Sequence, residues 1–290
     1  MMINRYAAAS AAARRHALGL IRKRFEAPSP PGRMFHHAGG HTKSVLYRAT
    51  LIAAALGLSS HHVLLMQIGA AFHDVVQEWD PIEKSGGVIV RRRKTVSNEE
   101  KSVAEARSFM KTLPMKFQEW EKKEIDASIL VTIAEWSEAH KTVVQPNLTA
   151  KSHRLVLAVA LADLGAAGMD PVGFIRDGCS LFAEEQIDIA LTLSAARRSE
   201  DIDKVVQEKY RKRLLAWLSM QAAFARGRKE LFFHEVQGLD VAATQRVRML
   251  FSHFDESIAA AEEECGRFET MAFASLARHL VPDAFSDEGR

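Results

Sequence analysis

The chain has 290 residues, of which 47% are hydrophobic and 26% are charged. This composition excludes a disordered, collagen-like or low-complexity protein and indicates a globular one. No apolar run approaches the roughly 20 residues that cross a bilayer, and two cysteines, Cys179 and Cys265, are too few for a disulfide framework. We therefore expect a cytoplasmic protein without a membrane partner. The formal net charge of +3 gives little reason to expect nucleic acid as a partner.

The first 34 residues carry seven arginines and lysines but a single acidic residue, Glu26. Their alanine-rich pattern predicts a basic N-terminal helix docked on the domain that follows. A transit peptide, or a surface that attracts anionic substrates or nucleic acid, is the alternative. The prolines of the stretch APSPPG, residues 27–32, cannot continue a helix and separate this segment from the rest.

The remaining pattern is helical nearly throughout, which predicts an all-α fold. Ser97 and Glu100 have the spacing of a capping box, and Asp170 stands where an N-cap is expected before Pro171. The segment GGVIVRRRK is predicted to be a loop. Four helices are predicted over about 41–56, 61–76, 97–114 and 118–139. A fifth is predicted to begin at 147 or 149 and to end at 165–168, and a sixth to begin at 171. Two longer helices are predicted over about 200–226 and 242–279.

Three short segments place imidazole or carboxylate groups where a simple hydrophobic core would not. His41 opens a helix in FHHAGGHTKSVL, and His73 and Asp74 end an apolar helix in IGAAFHDVV. Asp163 is the only charged residue between positions 155 and 169. A buried carboxylate is costly unless donors or a cation compensate it. At Asp163 an arginine, backbone N–H groups or a divalent metal could compensate the negative charge. A metal would also account for His73 and Asp74.

Two imidazoles and two carboxylates form a mixed nitrogen and oxygen ligand set. Such a set suits one divalent transition metal, Mn, Fe, Co, Ni or Zn, better than calcium. A metal of this kind lowers the pKa of a bound water and polarises a phosphoryl oxygen. Four protein ligands leave open positions on an octahedral metal, where water or a phosphoryl oxygen can bind. The sequence has no Walker loop, dinucleotide fingerprint or nucleophile elbow.

The segments HTKSVL, GAAFHDVV, SNEEKSVAEA and VALADLGAAG follow one another in the chain. In this order they resemble the HD superfamily of metal-dependent phosphohydrolases, which are all-helical proteins. The resemblance covers about residues 35–185 and implies an HD-like metal-binding domain there. A basic N-terminal helix and linker, residues 1–34, would precede this bundle, and a C-terminal helical extension, residues 186–290, would follow it and provide a surface for a homodimer.

The resemblance implies that His41, His73, Asp74 and Asp163 are metal ligands, with Asp74 also taking part in catalysis. Members with two metals carry further histidines between the HD pair and the last aspartate. Residues 75–139 contain none, which favours a single metal. The implied activity is hydrolysis of a phosphomonoester or phosphodiester, with nucleotides among the candidates. The alternatives are a nucleotide-binding or regulatory module without turnover and, disfavoured by the few histidines, oxidation at a di-iron centre.

Other residues have two interpretations each. Glu78 could be a general acid or base, or a solvated loop acid. Glu99 could hydrogen-bond a ligand histidine or only complement a helix dipole. His37 could contact the substrate or stand in a polar turn. The four basic residues beside the site could bind phosphate oxygens or be solvated: Arg91, Arg92, Arg93 and Lys94.

Overall fold

The computed structural model of the protein describes residues 2–282 and 284–285. Helices dominate this part of the chain and two small antiparallel hairpins interrupt them, so the predicted all-α class is confirmed. The helices are α1 Met2–Ile21, α2 Gly39–Ala55, α3 Ser60–Phe72, α4 Ser97–Thr112, α5 Glu119–Leu130, α6 Arg154–Asp163, α7 Ala166–Met169, α8 Pro171–Glu185, α9 Ile187–Ala195, α10 Lys204–Glu235, α11 Val241–Leu250, α12 Phe254–Thr270 and α13 Phe273–Leu280. None of the helices in the described residues is both long and apolar enough for a bilayer crossing.

Helix α1 docks on the rest of the molecule through one face. The residues of this face recur every three or four positions and are all buried, as an amphipathic helix requires: Tyr6, Ala9, Ala13, Ala17 and Ile21. They belong to the same hydrophobic cluster as α2, α3 and α6. The Tyr6 hydroxyl also donates to buried Glu121 at 2.6 Å. The basic segment therefore includes a structural helix.

The segment predicted as a loop contains a β-hairpin instead. Strand β1, Trp79–Lys84, pairs antiparallel with strand β2, Val88–Arg93. The tip contains Gly86 and Gly87, both with positive φ, a conformation that glycine adopts without steric cost. The β-branched residues of VIV then favour the extended chain. The loop prediction was wrong because the arginines obscured this strand signal.

The helix predicted over 118–139 ends at Leu130. Asn147 donates its side-chain N–H to the Leu130 carbonyl at 2.8 Å, which satisfies one of the unpaired groups at a helix end. The chain then forms a second hairpin from β3, Glu135–Ser137, and β4, Thr142–Val144. The predicted helix from 147 or 149 begins only at Arg154.

The N-cap prediction at Asp170 is confirmed, because its carboxylate accepts from the Gly173 N–H.

The predicted capping box at Ser97 is wrong. Val96, at φ 73°, precedes α4 and provides no side-chain cap. The neighbouring Asn98 instead turns inward and makes two hydrogen bonds with the backbone of Glu78, so it joins α4 to the start of the hairpin.

The single helix predicted over 242–279 is three helices, α11 to α13. The first break follows from packing on α7: the His253 N–H donates to the Gly168 carbonyl at 3.0 Å. A Cβ at Gly168 would lie only 2.5 Å from the ring of Phe251, so the chain needs glycine there. The described residues form two hydrophobic clusters, and both α8 and α10 contribute to each of them.

Candidate metal centre

Three helix ends meet at one place in the larger cluster. His41 lies in the first turn of α2, His73 and Asp74 follow the last residue of α3, and Asp163 is the last residue of α6. Gly39 allows α2 to begin here, because its N–H donates to Glu26 and a Cβ would lie 2.9 Å from that carboxylate.

Both imidazoles lie close to both carboxylates. The His41 and His73 Nε2 atoms are 3.4 Å apart, and Asp163 Oδ1 lies 3.2 and 3.5 Å from them. Asp74 Oδ2 lies 2.9 Å from His73 Nε2 and 3.4 Å from His41 Nε2. Metal–ligand bonds of about 2.1 Å give ligand separations of about 3.0 to 3.4 Å in octahedral and tetrahedral sites. The separations among His41, His73 and Asp163 therefore fit one transition-metal ion. Asp74 lies close to both imidazoles but is not part of this mutually close group.

The hydrogen-bond pattern also fits a cation at this point. His73 Nδ1 lies 2.8 Å from the Ala70 carbonyl, so we assign the imidazole proton to Nδ1. The Nε2 lone pair then faces the carboxylates. Asp74 Oδ2 is buried and has no hydrogen-bond donor. Lone pairs and carboxylates that face each other without donors repel unless a cation lies between them.

The pKa shifts in the cluster also indicate that a positive charge is favourable at this point. Burial by itself lowers the pKa of His73, but the Asp74 carboxylate raises this pKa to about 10. Burial by itself raises the pKa of Asp74, but the charge of His73 holds it well below its usual value. Burial by itself raises the pKa of Asp163, but hydrogen bonds from His41 and His73, which form when their Nε2 atoms carry protons, lower it. A proton or a metal can supply this charge.

The second oxygen of Asp74 is held by a small network. Asp74 Oδ1 accepts from Gln77 Nε2 at 2.7 Å and from Arg93 at 3.4 Å. The Arg93 Nε donates to Gln77 Oε1 at 2.6 Å, and its guanidinium pairs with buried Glu99 at 2.9 Å. Glu99 and Asp74 are thus connected by Arg93, which contacts both carboxylates. Gln77 was not among the predicted site residues, because its only signal in the sequence is its position three residues after Asp74.

The other basic residues of the run lie elsewhere. Strand alternation places Arg92 on the face opposite to Arg93, where it is exposed. Arg91 stacks on the ring of Trp79 at 4.3 Å and donates to the Pro31 carbonyl at 2.6 Å, so it holds the linker. Lys94 pairs with Asp80. Of the run, Arg93 is the residue that the structure brings to a proposed metal ligand.

Glu78 lies at the surface beside the centre. Its carboxylate pairs with Lys101 at 2.5 Å and its side chain is 43% exposed. Its hydrogen bond with Lys101 lowers the pKa of Glu78. Glu78 and Gln77 line an open cleft of about 570 Å³ together with Arg24 and Glu105, so Glu78 faces this cleft and stays a candidate there.

His37 is held by a carboxylate that the sequence analysis missed. Its Nδ1 lies 2.5 Å from Glu184 Oε1 near the end of α8. Burial by itself lowers the pKa of His37, but the Glu184 charge raises it above its usual value. Burial by itself raises the pKa of Glu184, but His37 lowers it well below the usual range. No local pattern marks Glu184, because it lies 147 positions from His37.

In the described residues, His41, His73 and Asp163 are the group whose possible ligand atoms all lie within 4.8 Å of one another. Asp74 adds an oxygen within 3.4 Å of both imidazoles. His153 lies outside this group and caps the start of α6, where it accepts from the Leu155 N–H. Comparisons of the chain with protein-family models, with curated proteins and with solved structures find no match.

Proposed function

We propose that the chain is a metal-dependent phosphohydrolase that cleaves a phosphomonoester or phosphodiester. The observation that supports this most is the cluster of two imidazoles with two carboxylates, in which each imidazole Nε2 lies 2.9 to 3.5 Å from an oxygen of each carboxylate. The resemblance to the HD superfamily supports the same activity. A reducing compartment such as the cytoplasm belongs to this proposal, because both cysteines are free.

His41, His73, Asp74 and Asp163 would hold one divalent ion, Mn, Fe, Co, Ni or Zn. Such an ion supplies a Lewis acid that lowers the pKa of water and neutralises charge on a phosphate. The protein's own contribution is preorganisation. The Ala70 carbonyl fixes the tautomer of His73, and Gln77 and Arg93 hold Asp74 by its other oxygen, so the ligand atoms need little rearrangement.

The cleft beside the centre supports a small-molecule substrate. Its volume of about 570 Å³ is in the range that accommodates a nucleotide-sized ligand. Gln77 lines the cleft and also hydrogen-bonds Asp74 Oδ1, so it connects the cleft to one proposed ligand, although the four ligands themselves do not line the cleft. Arg24 and Lys101 supply positive charge there, although each pairs with a carboxylate.

The test is Asp163→Asn, which keeps the shape of the side chain and removes its charge. We expect elemental analysis to find about one transition metal per wild-type chain and almost none in the variant. Hydrolysis across a panel of phosphate esters and nucleotides should fall at least 100-fold, because metal ligands matter more than the groups that orient them. Asp255→Asn, at an exposed residue of α12, is the matched control.

Equal hydrolysis by the variant and the wild type would contradict the proposal. A nucleotide that raises the thermal midpoint of the wild type without being turned over would favour a binding or regulatory module instead. Two iron ions per chain would favour oxidative chemistry. These outcomes are distinguishable, because metal content, ligand-induced stabilisation and product release are measured separately.

A further inference from the structure

One buried carboxylate organises the turn that leads into the metal centre. Glu184 is 4% exposed. Its Oε2 accepts hydrogen bonds from the backbone N–H groups of Phe35, His36 and His37 at 3.1, 2.9 and 3.0 Å. Its Oε1 pairs with His37 Nδ1 at 2.5 Å. Glu184 thus fixes both the backbone of the turn and the orientation of one imidazole.

The turn lies against the proposed ligands. The His36 ring centroid is 4.4 Å from that of His41, and the His37 ring centroid is 6.1 Å from it. Because Glu184 engages Nδ1 of His37, the Nε2 atom is the free end of this imidazole. No described residue hydrogen-bonds this Nε2, and the His37 side chain keeps 12% exposure. Nε2 therefore has no hydrogen-bond partner among the described residues, in an imidazole whose ring lies against His41.

The two oxygens of Glu184 have different partners. Oε2 holds the turn, and an amide oxygen could still accept the three backbone hydrogen bonds, although more weakly than a carboxylate. Oε1 faces His37 Nδ1, where an amide with its oxygen toward the turn would present an N–H group instead of an acceptor. The carboxylate therefore provides the acceptor that a donor at His37 Nδ1 requires.

We propose that Glu184 is a positioning residue that holds His37 so that its Nε2–H donates to a phosphoryl oxygen bound at the metal centre. This inference rests on the proposed function and adds the group that binds the substrate's phosphate. The contact with Glu184 directs the Nε2 atom of His37 away from Glu184. It thus gives a bound anion a donor next to two carboxylates that would otherwise repel it. His37 binds the phosphate and Glu184 acts through His37.

The first test measures the affinity of inorganic phosphate for the full chain loaded with Zn²⁺, by titration calorimetry. Glu184→Gln keeps an acceptor for the three backbone N–H groups and removes the charge that faces His37. We expect phosphate to bind about tenfold more weakly, as expected for a lost charge-assisted contact, with metal content unchanged. Glu83→Gln, at an exposed position of β1, is the control and should leave the affinity unchanged.

His37→Gln and the double variant complete a cycle. If Glu184 acts through His37, the Glu184→Gln change has no further effect on phosphate affinity in the His37→Gln background. Fully additive effects would contradict the proposal, as would a wild type that does not bind phosphate. Wild-type affinity in Glu184→Gln would contradict it too.

A spectroscopic measurement keeps the idea testable if Glu184→Gln fails to fold. In wild-type protein with ¹⁵N-labelled histidine, the Nε2 resonance that His37→Gln removes should shift when phosphate is added. An unmoved resonance would overturn the proposal. Phosphate binding and the shift without any turnover of the ester panel would leave the positioning role supported and would overturn the proposed hydrolase activity.

Discussion

Arg93 balances the negative charge of two buried carboxylates, Glu99 and Asp74. Glu99 is fully buried, and the cation that pairs with it is Arg93, which also reaches Asp74. The side chain of Arg93 is 27% exposed, so it brings charge from the surface to two buried carboxylates. Strand alternation gives the adjacent Arg92 the opposite environment. Two neighbouring arginines therefore differ in role.

Arg93→Ala should destabilise the protein by about 2–3 kcal/mol, because it leaves the Glu99 carboxylate buried without its cation. Arg92→Ala should change the free energy of unfolding by less than about 0.5 kcal/mol. Urea unfolding of both variants checks this. Equal stability of the two variants would show that the Arg93–Glu99 pair has no net importance.

At the level of elements, the position of α3 decides where His73 and Asp74 lie. Helix α3 approaches α5 closely at Gly69, where a Cβ would be 1.8 Å from Ser128 Oγ and 3.4 Å from the Ile125 carbonyl. Ser128 cannot turn away freely, because its hydroxyl donates to that carbonyl at 2.7 Å. The absence of a side chain at residue 69 therefore lets the two helices pack.

Gly69→Ala should destabilise the protein by about 1–3 kcal/mol through overpacking. The same change at Gly19, in α1, has no atom within 4 Å to meet and should stabilise the helix by about 0.5–1 kcal/mol. Thermal unfolding of both variants measures the contrast. A stabilised Gly69→Ala variant would show that α3 and α5 separate at little cost.

At the scale of the whole molecule, the end of α8 joins the metal centre to the C-terminal helices. Gln186 forms a β-bridge with Val90 of β2 and accepts from Arg213 of α10. Lys209 of α10 donates to the Gly86 carbonyl at the hairpin tip, at 2.7 Å. The hairpin that presents Arg93 is thereby attached to α10. Dimerisation through the C-terminal helices stays a prediction.

Glu185 makes this junction sensitive to pH. Burial, and then the charge of Glu184, raise the pKa of Glu185 from 4.5 to about 7. The unfolded chain thus ionises this group above pH 4.5, while the folded chain resists ionisation until about pH 7. Between these values stability falls as the pH rises, and above them the loss is constant.

Glu185→Gln removes this loss. The thermal midpoint of the variant relative to the wild type should therefore rise between pH 4.5 and pH 7 and level off above. Thermal scans from acidic to mildly alkaline pH measure the difference. Glu83→Gln, at an exposed position of β1, is the control and should show no such trend. A constant difference for Glu185→Gln would contradict the argument.

Local signals in the sequence determined the helical class, the N-cap at Asp170, and the set of four candidate ligands. They could do so because helix period and caps are short-range properties, and because a lone carboxylate in an apolar helix, such as Asp163, is conspicuous. The hairpin of β1 and β2 was missed, although its signal was also local. Its arginines are typical of a charged loop, although the β-branched residues before them favour a strand.

Only the tertiary structure decided which partners each charged group has. Glu184 meets His37 across 147 positions, and Tyr6 meets Glu121 across 115. It also decided that Arg93 turns toward Asp74 while Arg91 holds the linker. Contacts at such separations depend on how whole helices pack, and packing is a collective result of many apolar contacts that no local window of sequence contains.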